Sequence, residues 1–215
     1  YLYNSWYNKY RDRVESKTYN FSVSEMYVDW LRATDDPRLE VLVEKATLDA
    51  DYIEWLKYKN DPRYEYVKDP ENAYMGMRNG LIIEQRDGTE TYTNNGNTVA
   101  IQLWPRKDIS YPTLALWAKD QPMYFMTASE VWFLRAEAAL FGLGSGDANE
   151  LYQKGVEQAM DLWGIDATDY LANSSEGSLM GTDEEKFEQI ATQMWVSFVP
   201  NYVEAWFNMR RTGYP

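Results

Sequence analysis

The sequence predicts a mainly α-helical protein with long irregular loops and a minor β-hairpin. Three observations carry this prediction. Capped segments with helical apolar periodicity dominate the second half of the chain. Residues 69–122 are rich in Gly, Asn, Thr and Pro and lose that periodicity. Within them, Asn95-Gly96 separates two β-prone runs, Thr91–Thr93 and Thr98–Leu103, which is the pattern of a hairpin.

The amino-acid composition alone excludes several classes of function. The chain has 215 residues, 45% of them hydrophobic, which suits one large domain or two small ones. Its net charge of −13 argues against nucleic acid and against charge-driven docking on anionic lipid. It contains no Cys and no His, so zinc sites and Ser-His-Asp or Cys-His catalysis are excluded. We expect no cofactor and no metal.

The first helix is predicted from a capping box, Ser22 to Glu25, and ends near Asp35 because Pro37 follows. A duplication then appears. The fourteen residues of Tyr27–Glu40 recur 25 positions later as Tyr52–Glu65, with seven identities. Each copy is interpreted as a helix, an Asp-Pro turn and a short extended piece, Val41–Val43 or Tyr64–Val67. The Arg after each Pro could bind a carboxylate ligand, but an ion pair within the turn is favoured.

The loop-rich middle carries the candidate ligand site. Aromatic residues make up 16% of the chain, and Tyr and Trp offer flat apolar faces with a polar edge, which suits sugars. Rings in this region are not required by any helical period, and asparagines nearby could hydrogen-bond hydroxyl groups. The candidate residues are Tyr92, Asn95, Trp104, Tyr111 and Trp117. The alternative is that these rings pin the loop to the helices.

The helix of Thr127–Phe141 begins with the capping box of Thr127 and Glu130 and is apolar on nearly every side, which predicts a helix buried all round. Glu130 and Glu137 could form the acid/base pair of a glycosidase, whose carboxylates lie about 5–10 Å apart. Seven residues of helix span roughly 10.5 Å, near the far limit. The favoured interpretation gives Glu130 to the cap and pairs Glu137 with Arg135, Arg210 or Arg211.

Three further helices follow. One is capped by Asp147 and Glu150 and runs to Trp163, with Gly155 allowing a neighbouring helix to approach closely. A second is capped by Thr182 and Glu185, and the last covers residues 200–211. The first of them and the preceding helix form a helical hairpin of tetratricopeptide-like size. The acid pairs Asp49/Asp51 and Asp166/Asp169 could supply oxygen ligands to calcium, but solvated loop acids are more common.

Several of these stretches resemble the SusD/RagB family of outer-membrane nutrient-binding lipoproteins of Bacteroidetes. They are MTASEVWFLRAEAALFG, ANELYQKGVEQAMDLWGI, QMWVSFVPNYVEAWFNMRRTGYP, WLRATDDPRLEV and the turn Asn79-Gly80-Leu81. The resemblance implies helical pairs with long loops grafted onto them. Members of the family are longer and start with a lipidated Cys, so residues 1–215 are expected to be the C-terminal portion of one SusD-like domain. Its regions are duplicated units at 1–68, loops at 69–126 and a helical core at 127–215.

The resemblance implies a non-enzymatic function, capture of glycans at the outer-membrane surface for delivery to a TonB-dependent SusC-like transporter. The expected location is therefore the cell outer membrane, as a surface-exposed lipoprotein, and no nucleic acid is expected as a partner. The doubled Asp-Pro-Arg element departs from the single copy of the family. Two alternatives stay open, a carboxylate-pair glycoside hydrolase and a tetratricopeptide-like protein-interaction scaffold. The ligand residues of the family follow no motif, so none is carried over by position.

Overall fold

The computed structural model describes residues 22–78, 89–102, 109–116, 122–199 and 201–215. The chain divides into two compact units. Unit 1 comprises Tyr1–Arg32 and Leu39–Gln121, and unit 2 comprises Ala33–Arg38 and Pro122–Pro215. The described part is mainly helical and contains a two-stranded antiparallel hairpin, as the sequence predicts.

The described part of unit 1 contains four short helices. They are α1 (Glu25–Ala33, whose last residue belongs to unit 2), α2 (Arg38–Leu42, whose first residue does), α3 (Ala50–Tyr58) and α4 (Tyr64–Val67). Single 3-10 turns occur at Pro70–Asn72 and Leu114–Leu116. The predicted start of α1 is wrong by two residues, because the helix begins at Glu25. Ser22, predicted to cap the helix, instead donates its hydroxyl to the Met77 sulfur at 2.9 Å.

The hairpin forms where Asn95-Gly96 predicts it. Strands β1 (Thr89–Asn94) and β2 (Asn97–Gln102) pair in the register that places Tyr92 opposite Val99. Asn95 and Gly96 have φ of 49° and 81°, which is the pair of left-handed residues that a type I′ turn requires. One face of the hairpin packs on α3 and α4. The buried cluster there comprises Ala46, Tyr52, Trp55, Leu56, Val67, Met75, Tyr92 and Ile101.

The two Asp-Pro-Arg turns have the same internal geometry. In each, one carboxylate oxygen of the Asp accepts both the backbone N–H and the Nε–H of the Arg, at 2.9–3.0 Å, and the other oxygen accepts from Nη2. That last distance is 2.5 Å for Asp36–Arg38 and 2.7 Å for Asp61–Arg63. The ion pair within the turn, favoured from sequence, is therefore confirmed.

The extended pieces predicted after each turn are wrong. Arg38–Leu42 and Tyr64–Val67 are both single helical turns, and only Val43 continues as an isolated bridge, to Pro112. The hydrogen bonds from each Arg to the Asp two residues earlier hold the start of each segment in helical geometry. The apolar residue at the end of each turn, Leu42 or Val67, is then buried.

Unit 2 consists mainly of helices, and all but one of those described are predicted from the sequence. They are α5 (Ala128–Leu140), α6 (Ala148–Asp161), α7 (Thr168–Asn173), α8 (Asp183–Ser197) and α9 (Tyr202–Thr212), with a 3-10 turn at Ser175–Gly177. Thr127, Asp147 and Thr182 each accept the backbone N–H three residues ahead, and Thr182 with Glu185 completes a capping box. Helix α7 was not predicted, because six residues carry too little periodicity.

The core of unit 2 is built on the close packing of α5 against α6. A Cβ on Gly155 would lie 2.5 Å from the Phe133 ring, so only glycine permits this contact, as the sequence predicts. Helix α8 covers the pair with Ile190 and Met194. The prediction that α5 is buried all round is wrong for the described residues. Val131 is 42% exposed and Leu134 is 38% exposed, because no described element covers that side of α5.

Candidate functional site

The candidate ring Tyr92 lies inside unit 1. It is 5% exposed, and its hydroxyl donates to the backbone carbonyl of Asp51 at 3.1 Å. On strand β1 its side chain takes the face that packs on α3, since side chains alternate between the two faces of a strand. The core holds this residue in place, and its ring is not open to a ligand.

The other candidates are spread over the hairpin and the segments that follow. Asn95 is exposed at the tip of the hairpin, where its backbone makes the turn. Tyr111 is half-buried, and its carbonyl accepts the N–H of Glu44 at 2.7 Å. Trp104 and Trp117 lie outside the described residues. The structure thus brings Tyr92 and Asn95 together within one hairpin, and the five-residue site stays a prediction.

Among the described residues, an exposed ring that the sequence analysis did not single out, Tyr58, lies beside this hairpin. It occupies the last position of α3 and is 59% exposed. Its ring centroid lies 5.4 Å from that of Tyr92 with the planes tilted by 40°, a favourable aromatic geometry. The buried Tyr92 therefore supports Tyr58 from below and orients its ring.

The duplication contains the signal that could have revealed Tyr58. The equivalent position of the first copy is Ala33, so the helical repeat does not require a large side chain there. A tyrosine that the fold does not need, held at the surface by a second ring, offers a platform for a flat apolar ligand face. Lys59 and Glu90 pair at 2.8 Å beside it, both half-exposed, and supply polar groups able to bond hydroxyls.

The two glutamates of α5 lie in different surroundings. The Glu137 carboxylate accepts hydrogen bonds from Nη1 and Nη2 of Arg211, at 2.5 and 2.8 Å, which is one of the three pairings expected from sequence. Glu130 is 8% exposed, and its backbone N–H donates to the Thr127 cap at 3.3 Å. Burial raises the pKa of Glu130, and the nearby Glu204 carboxylate raises it further.

Two of the acids considered as calcium ligands accept local hydrogen bonds at helix starts. Asp49 accepts the N–H of Asp51 at the start of α3. Asp166 accepts both the N–H and the hydroxyl of Thr168 at the start of α7, and these bonds lower the pKa of its carboxyl. Within the ranges that the structure describes, no three acidic side chains lie close enough together to hold a metal ion.

Comparison with known proteins gives the family. A family model described as SusD-like, "Starch-binding associating with outer membrane", matches residues 2–215. The chain belongs to this SusD-like family. The resemblance noted in the sequence is thereby confirmed over almost the whole chain. A search of the curated proteins finds no match.

Solved structures of SusD-like proteins share the fold. A chitin-binding protein is 26% identical, with a TM-score of 0.62, over 89% of this chain and 37% of its own. A Bacteroidetes SusD-like protein is 22% identical, with a TM-score of 0.65, over 90% and 43%. A SusD homologue from Bacteroides fragilis NCTC 9343 is also 22% identical, with a TM-score of 0.63, over 90% and 40%.

The SusD-like chain thus spans roughly two fifths of the length of these solved relatives. No helix in the described part of the chain combines the length and the apolarity needed to cross a bilayer.

Proposed function

We propose that this SusD-like protein binds glycans at the outer-membrane surface, without turning them over, and passes them to a TonB-dependent SusC-like transporter. The observation that carries the proposal is the family match over residues 2–215, whose description names starch binding and association with the outer membrane. The 26%-identical solved relative, a chitin-binding protein, supports a polysaccharide ligand.

The surface beside the hairpin supports a sugar as the ligand. Tyr58 offers an oriented ring, and a pyranose presents an apolar face of C–H groups that stacks on such a ring. Lys59 and Glu90 provide a donor and an acceptor at its edge. Asn95, Trp104, Tyr111 and Trp117 stay candidate ligand residues beside this proposal.

Binding without turnover agrees with the condition of the carboxylates on α5. A glycosidase needs one carboxylate as nucleophile or base and a second as acid, both facing the scissile bond. Glu137 is neutralised by a bidentate bond to Arg211, and Glu130 is nearly buried at the start of the helix. Neither is available to a sugar in this arrangement.

The direct test is a screen of the full-length natural protein against an array of plant, fungal and bacterial glycans. Titration calorimetry then measures affinity for each hit, and chromatography of the incubated glycan measures product. Saturable binding with unchanged glycan supports the proposal. Product formation that Glu137→Gln abolishes would overturn it in favour of a hydrolase, and sugar-independent capture of one protein partner would favour a scaffold.

Delivery to a transporter is tested separately. Membranes from the native host are solubilised in mild detergent, and the protein is isolated through an affinity tag. Co-isolation of a TonB-dependent transporter in a fixed ratio supports this part of the proposal. Isolation of the protein from the outer membrane without any such transporter would contradict it while leaving glycan binding intact.

A further inference from the structure

Two cationic side chains of unit 2 converge on one aromatic ring. The ring is that of Trp132 on α5, which is half-buried and packs against the core of unit 2. The Arg135 guanidinium carbon lies 4.3 Å from the ring centroid, and the Lys154 ammonium nitrogen lies 5.1 Å from it. At both distances a cation is attracted by the π electrons of an indole. We call these three residues the Trp132 cluster.

The packing of α5 on α6 brings the Trp132 cluster together. Gly155 has no side chain, so the Phe133 ring can approach the backbone of α6 closely. Trp132 precedes Phe133 and Lys154 precedes Gly155, so the same contact brings these two neighbours together across the helix pair. Arg135 follows Trp132 by three residues, which places it one turn along the same side of α5. The core of unit 2 therefore positions the cluster, and no loop is needed to form it.

Neither cation of the Trp132 cluster forms an ion pair within the part of the chain that the structure describes. On α6, Glu150 and Glu157 lie one turn to either side of Lys154, a spacing that permits pairing, yet the ammonium lies over the indole instead. On α5, Glu137 pairs with Arg211. The chain carries 34 acidic and 21 basic residues, so the two cations are not left unpaired by a shortage of carboxylates.

The Trp132 cluster has the donors that an anionic sugar requires. Contact with the ring holds both cationic side chains in place before a ligand arrives, which lowers the entropy lost on binding. The guanidinium offers a planar pair of N–H donors that matches a carboxylate, and the ammonium offers three donors to a second acceptor. Both Arg135 and Lys154 are exposed, so these donors are accessible from solvent. The two charges are no further apart than the sum of their distances to the ring centroid.

We propose that the Trp132 cluster binds the carboxylate of a uronic acid residue in an acidic glycan. Arg135 binds this carboxylate, and Lys154 binds a hydroxyl or a second carboxylate of the same glycan. Trp132 is a positioning residue that holds both cations. The inference rests on the proposed glycan binding and adds to it a second site, in unit 2, built from residues other than Tyr58 and its neighbours. It also narrows the class of glycan, because a neutral sugar offers no anion to these cations.

Titration calorimetry of the full-length natural protein with the tetrasaccharides of galacturonate, guluronate and glucuronate tests the inference. Arg135→Gln with Lys154→Gln should weaken the binding of the preferred uronate about tenfold, because two charge-assisted contacts are lost. The control, Arg210→Gln with Lys186→Gln, changes the net charge of unit 2 equally. It removes an arginine that lies over the Trp206 ring at 5.0 Å and a lysine of α8. The control should bind the uronate as the parent protein does.

The role of Trp132 is tested with both cations still present. Trp132→Leu keeps an apolar side chain against the core and removes the ring, so the affinity for the uronate should fall about threefold. Trp132→Phe keeps a ring and should restore most of that affinity. Circular dichroism during heating checks that both variants are folded. Equal affinities of the two variants would show that the ring does not position the cations and would overturn this part of the proposal.

Equal uronate affinities in the cluster variant and the control would overturn the inference, as would the absence of binding of all three uronates by the parent protein. If the parent still binds a neutral glycan, the second site fails while the proposed function stands. The absence of any glycan binding, neutral or acidic, is instead the failure of the proposed function. Citrate is the last control, because it carries carboxylates without a sugar. Competition by citrate as strong as that of the uronates would assign the cluster to free carboxylates and overturn its assignment to a glycan.

Discussion

The two Asp-Pro-Arg turns differ in their surroundings and share their internal geometry. The side chains of Arg38 and Asp36 are 1% and 0% exposed, and Arg38 also donates to Gln193 at 2.9 Å. Those of Arg63 and Asp61 are 19% and 21% exposed. Removing one partner of a buried pair strands the other charge in a medium of low polarity, whereas a pair near the surface is solvated by water.

Arg38→Ala should therefore lower the free energy of unfolding by about 3–5 kcal/mol. The matched change Arg63→Ala should cost about 0–1 kcal/mol, because water replaces the lost partner. Urea unfolding followed by circular dichroism measures both. Equal losses would show that the turn geometry itself, rather than burial, determines the contribution of each arginine.

We expect glycan binding to depend on the aromatic ring of Tyr58. Tyr58→Ala introduces the residue type that the first copy of the duplication has at the equivalent position, Ala33, so the fold should tolerate it. Loss of a central stacking ring costs about 1–3 kcal/mol, and affinity for a confirmed glycan should fall by about 5- to 150-fold. Tyr66→Ala is the control, since the Arg32 guanidinium already covers the Tyr66 ring at 4.2 Å. Unchanged affinity in Tyr58→Ala would remove this ring from the site.

At the scale of single elements, local signals predicted most of the structure. The caps Thr127, Asp147 and Thr182 fix helix starts through one side-chain bond each, and Asn95-Gly96 fixes the hairpin through backbone geometry. Two kinds of prediction were wrong: those that depend on contacts between residues distant in sequence, and those on very short segments. The face of β1 that is buried, and hence the choice of Tyr58 over Tyr92 as the exposed ring, depends on how the hairpin packs against α3. A five-residue segment such as Arg38–Leu42 is too short to show a period.

The capping box of α8 is an element whose contribution can be measured. The Thr182 hydroxyl accepts the Glu185 N–H at 3.3 Å, and the Glu185 carboxylate accepts the Thr182 N–H at 2.7 Å. Thr182→Ala should lower the free energy of unfolding by about 1 kcal/mol, because the first turn of the helix loses its side-chain acceptor. Thr182→Ser keeps the acceptor and should be nearly neutral. Equal losses in both variants would assign the effect to the lost methyl group instead.

At the scale of the whole molecule, charge determines how stability changes with pH. The chain has no His, a net charge of −13 and a pI near 4.5. Burial raises the pKa of Glu130 and of Glu176 above the ordinary 4.5. Hydrogen bonds lower the pKa of Asp166 below 3.8 and that of Glu185 below 4.5. The raised and the lowered pKa values change the free energy of unfolding in opposite directions as pH falls.

The signs follow from which state binds more protons. Glu130 and Glu176 are easier to protonate in the folded state, so they favour folding as pH falls from neutrality towards 4.5. Asp166 and Glu185 are harder to protonate when folded. The stability that they contribute is present above 3.8 and 4.5 and is lost as pH falls through their lower folded values. Loss of net negative charge on acidification also relieves repulsion within the folded chain.

We therefore expect the free energy of unfolding to rise as pH is lowered from 8 to about 5, and to fall steeply below about 4. Urea unfolding at a series of pH values measures the profile. Glu130→Gln with Glu176→Gln should reduce the slope on the neutral side, because both desolvated carboxylates are gone. The control replaces Glu157 and Glu150, two exposed residues of α6, by Gln and reduces the net negative charge by the same amount. If control and test variants flatten the profile to the same extent, net charge rather than burial of Glu130 and Glu176 determines the slope.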